Sequence, residues 1–392
     1  MTDPAHPAPA AHDTSMRIPF NRPYATGSEL DYIADAHRRA KLAGDGEFTR
    51  QCSAWLEQST GTYRGLLTHS CTAALEMSAL LANIQPGDEV IMPSFTFVST
   101  ANAFVMRGAV PVFVDIRPDT LNIDETLIES AISSRTRAIV PVHYAGISAE
   151  MDSILETANH HGLCVIEDAA QGIMSKYKGR PLGAMGQFGT FSFHETKNII
   201  SGEGGALLVN SPDDATRAET IREKGTNRTQ FFRGEIDKYE WVDIGSSYLP
   251  GEIIAAFLWA QLQQAQEITT RRMAIWERYH AALAPLEAAG QLTRPTVPSH
   301  CMHNAHLYYI LARSAAEKTR IMARLRERGV DCVRHYVPLH TAPYGLDHGR
   351  IAPQGCPVTE DCSERLIRLP LWLGLESMQD EVIELIFEAF GS

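Results

Sequence analysis

No apolar run in the 392 residues approaches the roughly 20 needed to cross a bilayer as a helix, so no membrane association is expected. Cysteine is scattered: Cys52, Cys71, Cys164, Cys301, Cys332, Cys356 and Cys362 form no C-x-x-C pair. That spacing argues against a zinc or disulfide framework and for reduced thiols in the cytoplasm; no metal is expected. Positive charge is the minority, with 35 Lys and Arg against 47 Asp and Glu and a formal net charge of −12. That argues against a general nucleic-acid binder, because neutralising phosphates takes clustered cations, and leaves room for a local basic pocket for a small phosphorylated ligand. A G-x-G-x-x-G turn is missing, which disfavours a dinucleotide-dependent oxidoreductase. There is no repeat at solenoid period. Residues 1–15, rich in Ala, Pro and His, have no apolar signal-peptide core and read as a disordered extension.

What is present is an ordinary globular composition, 44% hydrophobic and 21% charged. Short apolar runs at Glu89–Met92, Val110–Val114, Ala138–His143, Cys164–Glu167 and Gly205–Val209 read as buried strands. Helical patterns such as Thr72–Leu81 and Met151–His160 lie between several of them. Alternating strands and helices predict an α/β fold with a mostly parallel sheet covered on both faces, whose ligands gather at the strands' carboxyl ends. Ser28 and Asp31 have capping-box spacing before a helix expected to run to about Ala43 and to close at Gly44-Asp45-Gly46. A long helix, Gly251 to Leu286, should join a smaller α+β part with elements at Leu307–Leu311, Ala316–Arg328, Asp331–His335 and Met378–Phe390. The domain division expected is 16–265 and 266–392.

Four segments carry chemistry. Val165 to Gln171 ends an apolar strand in Glu167-Asp168, and a buried carboxylate there needs a cationic or donor partner; capping a following helix is an equal reading. Gly189 to Lys197, then Gly202-Glu203-Gly204-Gly205, sets a lysine between aromatic residues and a glycine-rich return. Desolvation there would lower the amine's pKa and free its lone pair. Thr68 to Glu76 opens a helix with small hydroxyl residues, suited to an anion or simply to capping. Pro93 to Thr100 is aromatic and suits a flat ligand or the core. Taken together in chain order these are an anion seat, a ring face, a carboxylate and an amine, the parts that a pyridoxal phosphate site needs.

At this point the chain resembles the DegT/DnrJ/EryC1/StrS family of sugar aminotransferases, from Ile18-Pro19-Phe20-Asn21 to Leu369-Pro370-Leu371. The marks are Glu167-Asp168-Ala169-Ala170-Gln171, Phe191-Ser192-Phe193, Lys197, Gly202-Glu203-Gly204-Gly205, Lys224-Gly225-Thr226-Asn227-Arg228 and His335-Tyr336-Val337-Pro338-Leu339-His340. Within the family it is most similar to the dTDP-4-amino-4,6-dideoxygalactose transaminases, through Asp45-Gly46, Pro93-Ser94, Val142-His143-Tyr144-Ala145-Gly146 and His194-Glu195-Thr196-Lys197-Asn198.

The resemblance implies a fold type I pyridoxal 5′-phosphate-dependent transferase with Lys197 as the Schiff-base lysine. By the same resemblance Asp168 partners the pyridine nitrogen, Gln171 lies near the ring hydroxyl and Phe97 stacks on the ring. Ser192, Thr72 and the backbone at Cys71 hold the phosphate, and Asn227 reaches it from the neighbouring subunit of a homodimer. The implied reaction is ping-pong, from L-glutamate to dTDP-4-keto-6-deoxy-D-glucose. A nucleotide diphosphate needs positive charge at the mouth, and Lys41, Arg228, His335 and His340 are the candidates. The alternatives are a 3-amino sugar transaminase, a sugar dehydratase and a non-catalytic ligand-binding module. The dehydratases of the family carry histidine in place of the lysine, and a non-catalytic module would be expected to lose Lys197 or Asp168. The sequence departs from the family at Cys71, where Gly is common, and at Pro250-Gly251, which leaves the start of the next helix open.

Overall fold

The computed structural model describes residues 16–391; the extension expected at 1–15 lies outside the described residues. Eight strands build the main sheet: β1 (Arg64–Thr68), β2 (Glu89–Pro93), β3 (Val110–Val114), β4 (Thr136–Ile139), β5 (Cys164–Asp168), β6 (Phe188–Ser192), β7 (Gly205–Val209) and β8 (Arg350–Ile351). Their order is β1-β7-β6-β5-β4-β2-β3-β8. Every pairing is parallel except those of β7, which runs against both β1 and β6. β2, β6 and β7 are buried at every residue, as a sheet covered on both faces requires. Register aligns the edge that matters. Thr68 faces Gly205, Gly205 faces Ser192, and Thr190 faces Asp168.

Helices α1 (Glu29–Arg38), α2 (Glu47–Thr60), α3 (Cys71–Leu81), α4 (Val98–Val105), α5 (Glu125–Ala131), α6 (Met151–His161) and α7 (Pro212–Arg222) accompany the sheet. α1 stops well before Ala43, and Ser28 makes no side-chain cap. Glu29 instead ties down the chain leading into the helix, accepting from the Thr26 and Gly27 amides at 2.6 and 2.8 Å while bonded to Gln261. Ala40, at φ 55, turns the chain away. The strand expected over Ala138–His143 ends at Ile139, because Pro141 has no N–H for the ladder; its carbonyl accepts from the Asp168 amide.

The long helix expected from Gly251 is broken at Gln264 into α9 (Glu252–Gln263) and α10 (Ala265–Ala282), α8 being the short Arg228–Phe232. Pro250-Gly251 does not disturb its start. Gly251 is the residue before the helix, and Glu252 is buried, accepting from the amides of Gly46, Phe48 and Thr49 at the head of α2. Beyond α10 a three-stranded antiparallel sheet (Leu292–Thr293, Tyr308–Ala312, Leu366–Leu369) packs under the helices Ala315–Glu327 and Gln379–Phe390. The element expected at Asp331–His335 is reduced to one bridge, Val333 to Arg368. Ends cross over: Ile18 pairs with Val330, and β8 comes from residues 350–351 to complete the main sheet. There Arg350 reaches Glu89 at 2.8 Å.

The second part carries an acid-sensitive cluster. His303 packs edge-on to Trp276, and burial pulls its pKa from 6.5 to about 4. An unfolded histidine takes its proton near 6.5, so between those values the unfolded state binds more protons and stability falls as acid is added. His303 alone should account for about 2 kcal/mol lost between pH 7 and pH 5. His306 and His335, also held well below the usual value by burial, add to it. Urea midpoints across that window check this, and His303→Gln should flatten the profile.

Candidate active site

β5 sorts its two terminal acids by strand alternation. Glu167 turns inward, where its carboxylate accepts from the Gly183, Met185 and Gly186 amides at 2.6–2.8 Å and from His143 Nε2 at 2.9 Å. His143 Nδ1 meanwhile accepts from the Ala149 amide. This is a closed, fully buried knot with no capacity left for a ligand. Asp168 turns the other way, to the carboxyl edge of the sheet. It is 5% exposed, accepts from Thr100 Oγ1 at 2.7 Å and from the Ala170 amide at 3.2 Å, and Thr96 in turn bonds Thr100 at 2.8 Å. No helix follows Asp168, so the capping alternative fails. A carboxylate offers about four acceptor positions, and two are taken.

Lys197 lies in the loop from β6 to β7. Three backbone bonds pin the loop like a wide hairpin: Phe193 N to Gly204 O, Ser201 N to Phe193 O and Glu195 N to Gly202 O. Gly202, at φ 82, makes the return. The adjacent Asn198 is held by the Asn304 carbonyl and His306 Nδ1, so the loop is fixed to the second part of the chain. Half-buried, the Lys197 amine is surrounded by enough protein to lower its pKa from 10.5, against the opposing pull of Cys71 and Asp168 and helped by the nearby Arg368 cation. A larger neutral fraction is what a nucleophilic lysine needs.

The anion seat is at the start of α3. Ser70 caps the Ala73 amide at 3.1 Å, while the Cys71 and Thr72 amides, at the first two helical positions, have no acceptor within the helix. A Cβ at Gly205 would sit 2.4 Å from the Cys71 nitrogen, so glycine is required for β7 to start against the helix end. Ser192, 7% exposed, faces Gly205 across the ladder. Thr72 Oγ1 bonds Ser99 Oγ at 2.8 Å, joining the starts of α3 and α4. The Cys71 thiol is pushed up to about 12 by burial and by the Asp168 charge, which keeps it protonated and inert. Phe97 precedes α4 and is 58% exposed. The core alternative thus fails for Phe97, while Phe95, 1% exposed and packed on Tyr144 and Tyr336, does fill core. Gln171 is anchored through Oε1 to the Ala145 amide at 2.7 Å and through Nε2 to Tyr336 Oη at 3.2 Å; Ala145 is left-handed, at φ 59. A phosphate, an aromatic ring, a ring nitrogen and an aldehyde thus find chemically matched groups along one sheet edge.

Two of the proposed cations are corrected. His340 is 3% exposed, with Nδ1 on Ser94 Oγ at 2.6 Å and Nε2 on Glu360 at 3.0 Å, so it braces the loop after β2. His335 does lie near Lys197, but burial and the Arg368, His306 and Lys197 charges hold its pKa well below 6.5. Its nitrogens meet Tyr144 Oη at 3.0 Å and Arg368 Nη1 at 3.2 Å. A neutral imidazole with both nitrogens engaged offers no positive charge to a diphosphate. Lys41 and Arg228 line a different cavity of about 1020 Å³ with Arg50, Arg64, Lys224 and Phe232, and neither Lys197 nor Asp168 reaches it. Asn227 precedes α8 and its Oδ1 accepts from the Glu240 amide at 2.7 Å. Within one chain, therefore, Asn227, Lys41 and Arg228 are not brought to Lys197.

Sequence reasoning missed Thr100, Tyr336 and Arg368. Thr100 stood inside a segment read for its aromatics. Arg368 had a visible signal: a lone cation inside the apolar run Leu366-Ile367-Arg368-Leu369.

Comparison with known proteins agrees with this geometry. The model of the DegT/DnrJ/EryC1/StrS aminotransferase family matches residues 23–387. The uncharacterized protein MJ1066 of Methanocaldococcus jannaschii is 36% identical over 375 residues, 94% of this chain and 96% of that protein. Among solved structures, Spr1654 of Streptococcus pneumoniae in its PMP form superposes with a TM-score of 0.88 at 26% identity, covering 96% of this chain and 99% of that one. PseC of Helicobacter pylori, an aminotransferase involved in the biosynthesis of pseudoaminic acid, has a TM-score of 0.84 at 26% identity, with 95% and 98% covered. The fold, the edge that gathers Cys71, Ser192, Asp168 and Lys197, and the match along nearly the whole chain lead to one conclusion: the chain belongs to the DegT/DnrJ/EryC1/StrS aminotransferase family and is a pyridoxal-phosphate-dependent aminotransferase.

Proposed function

We propose that this aminotransferase carries an amino group from L-glutamate to a nucleotide-linked keto-sugar, dTDP-4-keto-6-deoxy-D-glucose, and yields a dTDP-4-amino-4,6-dideoxy sugar. The observation that carries the reading is a half-buried lysine with a lowered pKa in electrostatic contact with a buried aspartate held by Thr100. Bound pyridoxal phosphate supplies an electron-withdrawing ring conjugated to its aldehyde carbon. With it bound, Lys197 would hold that carbon, and its amine would be the base that carries the reacting proton. Asp168 would keep the ring nitrogen protonated, and Gln171 would meet the ring hydroxyl. Phe97 would offer an aromatic face to the ring. Ser192, Thr72 and the Cys71 amide would hold the phosphate.

The working unit in this reading is a cytoplasmic homodimer, each chain folded as a cofactor part (16–265) and a smaller part (266–392). Support for the dimer comes from the segment after Asn227, where Phe232, Tyr239, Trp241, Val242 and Ile244 are exposed. So much apolar surface on one stretch suits burial against a second copy, and it would let Asn227, Lys41 and Arg228 serve the partner's site. No helix among the described residues is long and apolar enough to cross a membrane.

Glutamate added to the holoenzyme should bleach the visible cofactor band, and dTDP-4-keto-6-deoxyglucose should restore it with formation of a C4 amine identified by NMR. An amine at C3 of a 3-keto sugar would move the assignment to the 3-amino transaminases. A band unmoved by any amino acid would remove the transaminase reading.

A further inference from the structure

Arg368, in the strand Leu366–Leu369, puts a guanidinium within electrostatic reach of Lys197. Its Nη1 meets His335 Nε2 at 3.2 Å and its head lies 4.7 Å over the Phe20 ring. Nε is buried with no hydrogen-bond partner, and among the described residues no carboxylate pairs with it. The neighbouring buried cation, Arg272, shows the contrast: it donates to the Ala305 and His306 carbonyls at 3.1 and 2.7 Å. A guanidinium keeps its charge even where burial lowers its pKa, and a desolvated charge without an anion is unfavourable. Tyr144, Tyr336 and Phe95 form the aromatic wall beside it. The Nε–Nη2 edge of the planar fork thus has no acceptor among the described residues, a need that a planar anion would meet.

Resting on the transaminase reading, we propose that Arg368 receives the α-carboxylate of the amino donor and so selects amino acids over simple amines. The donor's carboxylate is attached to the same carbon as its reacting nitrogen, so an amine engaged near Lys197 carries that anion into the immediate surroundings. A sugar diphosphate, by contrast, is held away from the reacting carbon by the ring between them. The phosphate of the cofactor has its own seat, at the start of α3.

The test separates the two half-reactions on holoenzyme. Arg368→Met should raise the half-saturating glutamate concentration roughly 30-fold or more. The amine-loaded enzyme should meet the keto-sugar with constants within about threefold of the parent. Arg368→Lys should recover part of the glutamate loss, and the preference for glutamate over n-butylamine should shrink in the Met variant. An unchanged glutamate constant overturns the proposal. So does equal damage to both halves, or damage confined to the keto-sugar half, which would give the anion to the nucleotide. Borohydride labelling of Lys197 in the variants confirms a folded holoenzyme. Absence of labelling in the parent would strike the transaminase reading itself.

Discussion

Lys197→Ala should give a folded, colourless protein whose turnover falls by roughly 10⁴-fold or more. Two losses combine in that substitution. The neutral amine made available by burial is gone, and with it the base that moves the proton on the reacting face. Asn198, bonded to Asn304 and His306, keeps the loop in place, so circular dichroism should be unchanged and the defect chemical. Methylamine, small enough to enter the vacated volume, should restore a fraction of the proton transfer. In the parent protein, borohydride should fix the cofactor to the peptide containing Lys197. Labelling of another lysine, or near-normal rates in the alanine variant, would end the assignment.

Asp168→Asn should slow turnover by about 10²- to 10³-fold while preserving the fold. The amide matches the carboxylate in shape, and its oxygen can still accept from Thr100. The negative charge opposite the ring nitrogen disappears, and with it the preference for the protonated ring. A shift of the visible band toward that of unprotonated cofactor should accompany the rate loss. If kcat stayed within about fivefold of the parent, the ring-nitrogen role would be wrong.

The central strands were legible because parallel β-structure buried on both faces writes itself as unbroken Val and Ile runs. Cys164 to Glu167 and Gly205 to Val209 are both observed, within a residue. β1 and β8 escaped because Gly65-Leu66-Leu67 and the two residues Arg350–Ile351 are too short to show a period. At the site, Asp168 could be singled out because it ends a strand and Lys197 because it follows one, where ligands gather, while the role of Ser192 came from the family resemblance. The histidines misled for a physical reason. A His in a family motif invites a charge at an open mouth, yet its surroundings come from far away in sequence: burial and Arg368 hold His335 neutral, and Ser94 and Glu360 take up both nitrogens of the buried His340. The helix start at Glu29 was legible from Ser28, but the capping bond expected there is absent and the helix ends at Arg38, short of Ala43.

β8 bears on how the protein is born. The parallel edge of β3, complete by Val114, waits for Arg350 and Ile351 before its neighbour arrives. At ordinary ribosomal speed that interval is roughly 10 to 50 seconds, during which Phe113, whose carbonyl later accepts from the Ala352 amide, faces an empty edge. A nascent chain with such a bare margin invites wrong partners, so slowing synthesis ahead of residue 350 would be expected to lower the soluble yield more than slowing it afterwards.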